Sequence, residues 1–170
     1  MTQEEIIDIV DEQNNVIGQG SKTEAHQKGL LHRTCLALII DSSGKWLLVK
    51  QSASRQDAGQ YVLPVGGHVR SGEAPDHALK REALEEVGYK DFKYKYIGKM
   101  IYNRFVLNRH ENHYFLYYEI YSDEEPVLNE ESVSYRKFDT QELRNLLVTE
   151  PSMFGDSLWV EIKQFYPELL

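Results

Sequence analysis

Short apolar blocks separated by turn chemistry organise the first third of the chain. Residues 6–10 (IIDIV) predict a strand, Asn14-Asn15 supplies a turn, and Val16-Ile17 resumes a hairpin. The block 36–40 (LALII) has the continuous apolar character of a strand buried on both faces, and Asp41-Ser42-Ser43-Gly44 closes it. Residues 46–49 (WLLV) predict its partner, 52–60 is polar and predicts a loop, and 61–65 (YVLPV) is short and β-like, ending at Gly66-Gly67. After Gly72 the period changes. From about residue 74 to residue 87 the apolar positions recur at helical spacing, with Pro75 acceptable in the first turn and Gly88 as the stop. Tyrosine-rich strands are predicted over 92–105 and 113–121, another strand over 133–138, and closing helices over 141–147 and 157–165. Strands on both sides of one helix, followed by further helices, predict an α/β fold with a mixed sheet covered on two faces.

Length and composition narrow this to one domain spanning 1–170, since 170 residues carry no internal repeat, low-complexity tract or linker. A hydrophobic fraction of 41% beside 27% charged residues is a globular balance. No apolar run approaches the roughly 20 residues a bilayer span requires, so no membrane partner is expected. The acidic start, MTQEEIIDIVDEQ, lacks a signal segment, and a cytoplasmic location is the expectation. Cys35 is the single cysteine, which excludes an internal disulfide. A net charge of −8 opposes binding to long nucleic acid.

The chemistry is concentrated in 67–89, GHVRSGEAPDHALKREALEEVGY. At about 100° per residue, Glu82, Glu85 and Glu86 share an arc of about 100° on one helix face. Leu79, Ala83, Val87 and Leu84 form the adjacent apolar stripe. An exposed acidic face is the plain reading of three such carboxylates. Here they abut the apolar stripe rather than oppose it, so they sit at the rim of the core. Clustered hard oxygen ligands at a rim suit Mg²⁺ or Mn²⁺.

Gly67, Glu73, Arg81, Glu82, Glu85, Glu86 and Gly88 also match every fixed position of the Nudix box, G-x5-E-x7-R-E-U-x-E-E-x-G-U, with Ala83 and Tyr89 at the two U positions. The chain therefore resembles the Nudix hydrolase superfamily, and that resemblance implies the Nudix α/β/α sandwich. It also implies Glu82, Glu85 and Glu86 as metal ligands with the Gly67 carbonyl nearby, Glu85 or Glu86 as the catalytic base, and Glu73–Arg81 as a structural ion pair.

Outside the box the chain resembles the branch of isopentenyl-diphosphate isomerase and its hydrolase-like relatives. The resemblance lies in Asp11-Glu12, AHQKGLLHRT (25–34), GGHVRSGE (66–73), HENH (110–113), NEESVSYRKF (129–138) and SLW (157–159). Carried over by position, a second metal site would comprise His26, His32, His68, Glu111 and His113, with His113 in place of a glutamate. That exchange favours Mn²⁺ or Zn²⁺ over Mg²⁺. Each histidine alone reads equally as a surface or hydrogen-bonded residue. Against isomerase activity, Gly66 stands where the isomerases carry a cysteine, and Gln51-Ser52 stand in the region of a basic pair that holds the diphosphate. Arg55 and Arg104 are candidate phosphate contacts, and Trp159 a candidate substrate contact, each with an alternative as surface charge or core packing.

The expectation is a Mg²⁺- or Mn²⁺-dependent hydrolase of a nucleoside-diphosphate-linked or related small molecule. An isomerase-like enzyme and a non-catalytic nucleotide sensor are the alternatives. A second divalent transition metal and a homodimer are admitted by the resemblance.

Overall fold

The computed structural model describes residues 3–170. The chain opens with an antiparallel hairpin of β1 (Ile6–Val10) and β2 (Val16–Ser21). Its turn is held by Asp11, whose carboxylate accepts the amides of Gln13 and Asn15 at 2.9 and 2.8 Å. A short helix the hydrophobic pattern does not predict follows, α1 (Lys22–Lys28). The Ser21 hydroxyl accepts the Glu24 amide at 3.1 Å to start it, and Gly29, at φ 66°, ends it.

The centre is β3 (His32–Ile40). One of its edges is covered along its whole length by a parallel strand, β8 (Arg109–Tyr121), from His32↔His113 to Ile40↔Tyr121. Its other edge is shared. β4 (Trp46–Gln51) pairs with it only at Ile39↔Leu47 and Ile40↔Trp46. β6 (Val65–His68) takes the middle, from Thr34↔His68 to Ala37↔Val65, and β1 joins at Ile9↔His32. β4 meanwhile pairs with the two-residue β5 (Tyr61–Val62) and with β9 (Ser132–Phe138). The predicted strand over 61–65 thus divides at Leu63-Pro64, where proline supplies no N–H. β7 (Lys93–Val106) pairs with β8 through a hairpin longer than its sequence pattern predicts. The two-residue turn, Leu107-Asn108, has φ of 50° and 57°. Both central residues are left-handed, as such hairpins require, without the glycine that marks them in a sequence.

Helices cover both faces of the nine-stranded mixed sheet. On one, α2 (Pro75–Val87) packs Leu79, Ala83 and Val87 with Cys35, Ala37 and Ile39 of β3. On the other, α3 (Thr140–Thr149) and α4 (Asp156–Phe165) pack Leu143, Leu147, Leu158 and Ile162 with Leu36 and Leu38. The alternation of Cys35, Ala37, Ile39 against Leu36, Leu38 is the period-two consequence of a strand buried on both sides. This is the expected α/β/α sandwich. Leu84, at the far edge of the helical stripe, is solvent-facing at 48% exposure rather than buried.

Leu48 is fully buried and Val148 is 77% exposed. Leu48→Ala is expected to lower unfolding free energy by about 2–5 kcal/mol through lost burial and a residual cavity. Val148→Ala should stay within about 0.5 kcal/mol. Urea denaturation of both variants checks the assignment, and equal effects would contradict it.

Candidate active site

Because β4 leaves β3 after two residue pairs, the sheet opens between β4/β5 and β3/β6. A cavity of about 470 Å³ occupies this opening and reaches from α2 to α4.

At the α2 end the loop after β6 is clamped to the helix. Arg81 donates through Nε and Nη2 to the two Glu73 carboxylate oxygens, each at 2.9 Å, and its Nη2 also reaches the His68 carbonyl at 2.9 Å. Burial opposes ionisation of Glu73, but these bonds and the Arg70 amide hold its carboxyl below the usual range. The Glu73–Arg81 pair expected from the sequence is therefore present.

Arg81 also contacts Glu82, one of three carboxylates on this wall of the cavity with Glu85 and Glu86. Burial pushes Glu82 up to about 7 against the opposing pull of Arg81. Burial pushes Glu86 well above the carboxylate range, although its Oε2 accepts the Gly66 amide at 2.6 Å. Glu85 is exposed. Gly67 lies against this cluster so closely that a Cβ would stand 2.0 Å from Cδ of Glu82. Only glycine permits that approach. Two carboxylates disfavoured as bare anions, with a third beside them, form a donor set that suits a hard divalent cation.

A second group lies deeper. Pairing of Thr34 with His68 and of His32 with His113 brings three histidines together across β6, β3 and β8, and α1 delivers His26. Their ligand atoms all lie within 4.8 Å of one another. None of the four Nε2 atoms has a hydrogen-bond partner among the described residues. His32 donates from Nδ1 to the Leu30 carbonyl at 2.7 Å, which leaves a lone pair on its Nε2. Burial depresses all four imidazoles, His26 to about 4, so they stand neutral at neutral pH. Four neutral, converging, unpartnered nitrogens fit a transition-metal ion.

Glu111 lies outside that group. Its carboxylate accepts Gln56 Nε2 at 3.0 Å, Arg104 Nε at 3.1 Å and Arg109 Nη2 at 2.7 Å. Burial resists ionisation, but these donors hold it at about 2. Arg104 lines the cavity with both sides of its fork engaged, by Asp57 at 3.1 and 3.2 Å and by Glu111. Arg55 lines it too, paired to Glu131 at 3.2 Å. Trp159 is not among the lining residues. It packs in the apolar layer of α3 and α4 and donates Nε1 to the Pro151 carbonyl at 3.3 Å.

Several lining residues, Gln56, Asp57 and Glu161 among them, are not among the sequence-predicted site residues. Glu161 of α4 is 1% exposed, and its Oε2 has no partner among the described residues. Its signal was available: it falls three residues after Leu158 and one before Ile162, an acid on an apolar helix face.

A family model described as NUDIX domain matches residues 30–155, and the chain belongs to the Nudix family. It is 34% identical over 154 residues to the protein named isopentenyl-diphosphate Delta-isomerase 2 of Photorhabdus laumondii, covering 89% of this chain and 86% of that one. An uncharacterized Nudix hydrolase of Yersinia pestis is 40% identical over 85 residues, covering 49% of this chain and 47% of the relative. Among solved structures, DR0079 of Deinococcus radiodurans shares the fold with a TM-score of 0.75 at 22% identity, covering 95% of this chain and 99% of that one. Among the described residues, no helix is long and apolar enough to cross a membrane.

The buried acid on α4 has a measurable consequence. Burial, with Asp57 adding to it and Arg104 opposing, pushes Glu161 from the ordinary 4.5 up to about 8. The folded state then holds a proton that the unfolded chain releases between those pH values. The contribution of Glu161 is intact below 4.5 and lost as pH rises through 8. Glu161→Gln, which cannot ionise, should gain stability relative to the parent as pH is raised from 5 to 8. Urea midpoints at several pH values read this, and a constant gap would contradict it.

Proposed function

We propose that this chain is a metal-dependent Nudix hydrolase that splits the diphosphate linkage of a nucleoside-diphosphate-linked or related small molecule. The observation that carries the reading is the convergence of Glu82, Glu85 and Glu86 on one wall of a cavity large enough for such a compound. Mg²⁺ or Mn²⁺ held there would neutralise phosphate oxygens and make water nucleophilic at neutral pH. The chain's own part is positional. Glu73 and Arg81 fix the loop on α2, the Gly66 amide orients the Glu86 carboxylate, and Glu85 or Glu86 takes the proton that the attacking water releases. Arg55, whose Nε has no partner among the described residues, faces the cavity as a phosphate donor. The second site, His26, His32, His68 and His113, holds a transition metal in this reading.

The isomerase reading is favoured by the names of several relatives matched along most of the chain, among them the 34% identical protein and a 31% identical one of Serratia proteamaculans. It requires the thiol that isomerases carry at the position of Gly66. A Cβ there would stand 2.9 Å from Cδ2 of Leu36, so the wall is closed against such a side chain unless Leu36 moves.

Incubation with Mg²⁺ or Mn²⁺ and a panel of nucleoside-diphosphate-linked compounds should release nucleotide or phosphate. Glu86→Gln should lower kcat/KM by about 10²-fold or more. An unchanged rate removes Glu86 from the chemistry, and tight binding without turnover favours a sensor instead. Conversion of isopentenyl to dimethylallyl diphosphate should not be detected; its detection would establish the isomerase reading.

Metal analysis of the purified protein should find a bound transition metal that the His32→Ala/His68→Ala double variant lacks. Equal metal content in the two proteins would dispose of the histidine site.

A further inference from the structure

The histidine nitrogens aside, six buried side-chain polar atoms lack a partner among the described residues, on Asn14, Arg33, Thr34, Arg55, Gln56 and Glu161. Four of these residues, Thr34, Arg55, Gln56 and Glu161, line the cavity. Unfilled hydrogen-bonding capacity is therefore gathered where a ligand would lie. Glu161 is the most buried of the four and carries the only carboxyl among them.

Its surroundings leave it without a protein partner. Arg104 is committed to Asp57 and Glu111, and the nearby Asp57 repels a second carboxylate. Leu36, Leu63 and Phe115 supply apolar wall at the same cavity. Ser157 lies four residues before Glu161 on α4, so both project from one helix face, and both line the cavity. Leu158 and Ile162 turn instead into the core. The helix thus offers the ligand a hydroxyl and an unpaired carboxyl beside Asp57 and Arg104, which are already engaged with each other.

We propose that Glu161, with Ser157, determines specificity by hydrogen-bonding a polar substituent of the diphosphate, a sugar hydroxyl or a base N–H, and by rejecting a hydrocarbon chain. A hydrocarbon entering this end displaces water from Glu161 without replacing its bond, whereas a sugar or nucleoside replaces it. Discrimination of about 10-fold or more is the size expected of one buried hydrogen-bonding group. This inference rests on the hydrolase reading for its substrate class, but binding tests it without turnover.

The test uses two methylene-bridged probes that cannot be hydrolysed at the bridge, an ADP-ribose analogue and a five-carbon alkenyl methylenediphosphonate. Affinities for both are measured by titration calorimetry with Mg²⁺ present. The parent protein should prefer the ADP-ribose analogue. Glu161→Leu should reduce that preference about 10-fold or more, through weaker binding of the polar probe and tighter binding of the alkenyl one. Ser157→Ala should reduce it by a smaller factor, while Glu161→Gln, which keeps an amide, keeps its direction. A preference unchanged within twofold in folded Glu161→Leu overturns the proposal, as does a parent that prefers the alkenyl probe or binds neither. Should Glu161→Leu fail to fold, Glu161→Ala takes its place, and a preference unchanged within twofold in Glu161→Ala and Ser157→Ala overturns it. Loss of preference in the variants with no hydrolysis of any natural diphosphate would leave this inference standing and remove the hydrolase reading. Hydrolysis with an unchanged preference would do the reverse.

Discussion

The divided edge of β3 is the constraint from which the rest follows. One edge of that strand is fully paired with β8, so β1, β6 and β4 must share the other, and β4 keeps only two residue pairs of it. A sheet whose neighbouring strands part in this way cannot remain closed. The opening exposes side chains from both helical layers to one volume, which neither layer would reach through an intact sheet. The acids of α2 and Glu161 of α4 lie on opposite layers of the sandwich and still line one cavity. The same division places His68 at the end of β6, beside Thr34 and within reach of the β8 histidine.

Gathering polar atoms there carries a stability cost that a purely structural core would not carry. Glu82, Glu86 and Glu161 are all pushed toward the protonated form by burial, and four imidazoles are held neutral with unpartnered nitrogens. Compare the charges that have no such freedom. Arg81 with Glu73, and Arg104 with Asp57 and Glu111, are closed by short bonds on every side. The two kinds of buried charge divide the labour: paired ones fix the geometry of loop, helix and hairpin, and the frustrated ones await a cation or ligand. Net charge alone obscures this. A total of −8 reads as repulsion of anions, while a divalent cation held by the three box carboxylates, as proposed above, would reverse the local sign.

Periodic segments were legible in the sequence and short or paired ones were not. The helix α2, the opening hairpin and the buried strand all follow from apolar spacing, and Gly88 from its role as a helix stop, whereas Gly66-Gly67, read as the end of a strand, lie within β6 and pair with β3. α1 escapes because its seven residues, KTEAHQK, bury only Ala25 and His26; a capping serine and a left-handed glycine hold it. That helix nonetheless delivers a histidine. Glu111 lies two residues from His113, so strand alternation turns both toward one side, and position alone makes it a candidate ligand. What position cannot show is the residue across the hairpin. Arg104 is its cross-strand partner and, together with Arg109, occupies the carboxylate. Trp159 and Glu161 show the same limit within α4. Two residues apart on a helix, they point in different directions, and the one that lines the cavity is the one that sequence reasoning passed over.

Likeness along most of the chain and chemistry at a few positions are separate matters. The 34% identical relative carries an isomerase's name, and the fold would serve either chemistry. The positions that would separate them are local and physical. A Cβ at position 66 would stand 2.9 Å from Cδ2 of Leu36, so a side chain there requires the Leu36 methyl to shift. An imidazole at 113 joins three others, and the group they form offers nitrogen donors alone. On the opposite layer, Glu161 places a buried carboxyl with no partner among the described residues in the far wall. These features lie on three different elements, β6, β8 and α4, so the choice between the two chemistries rests on separate parts of the cavity wall rather than on one position.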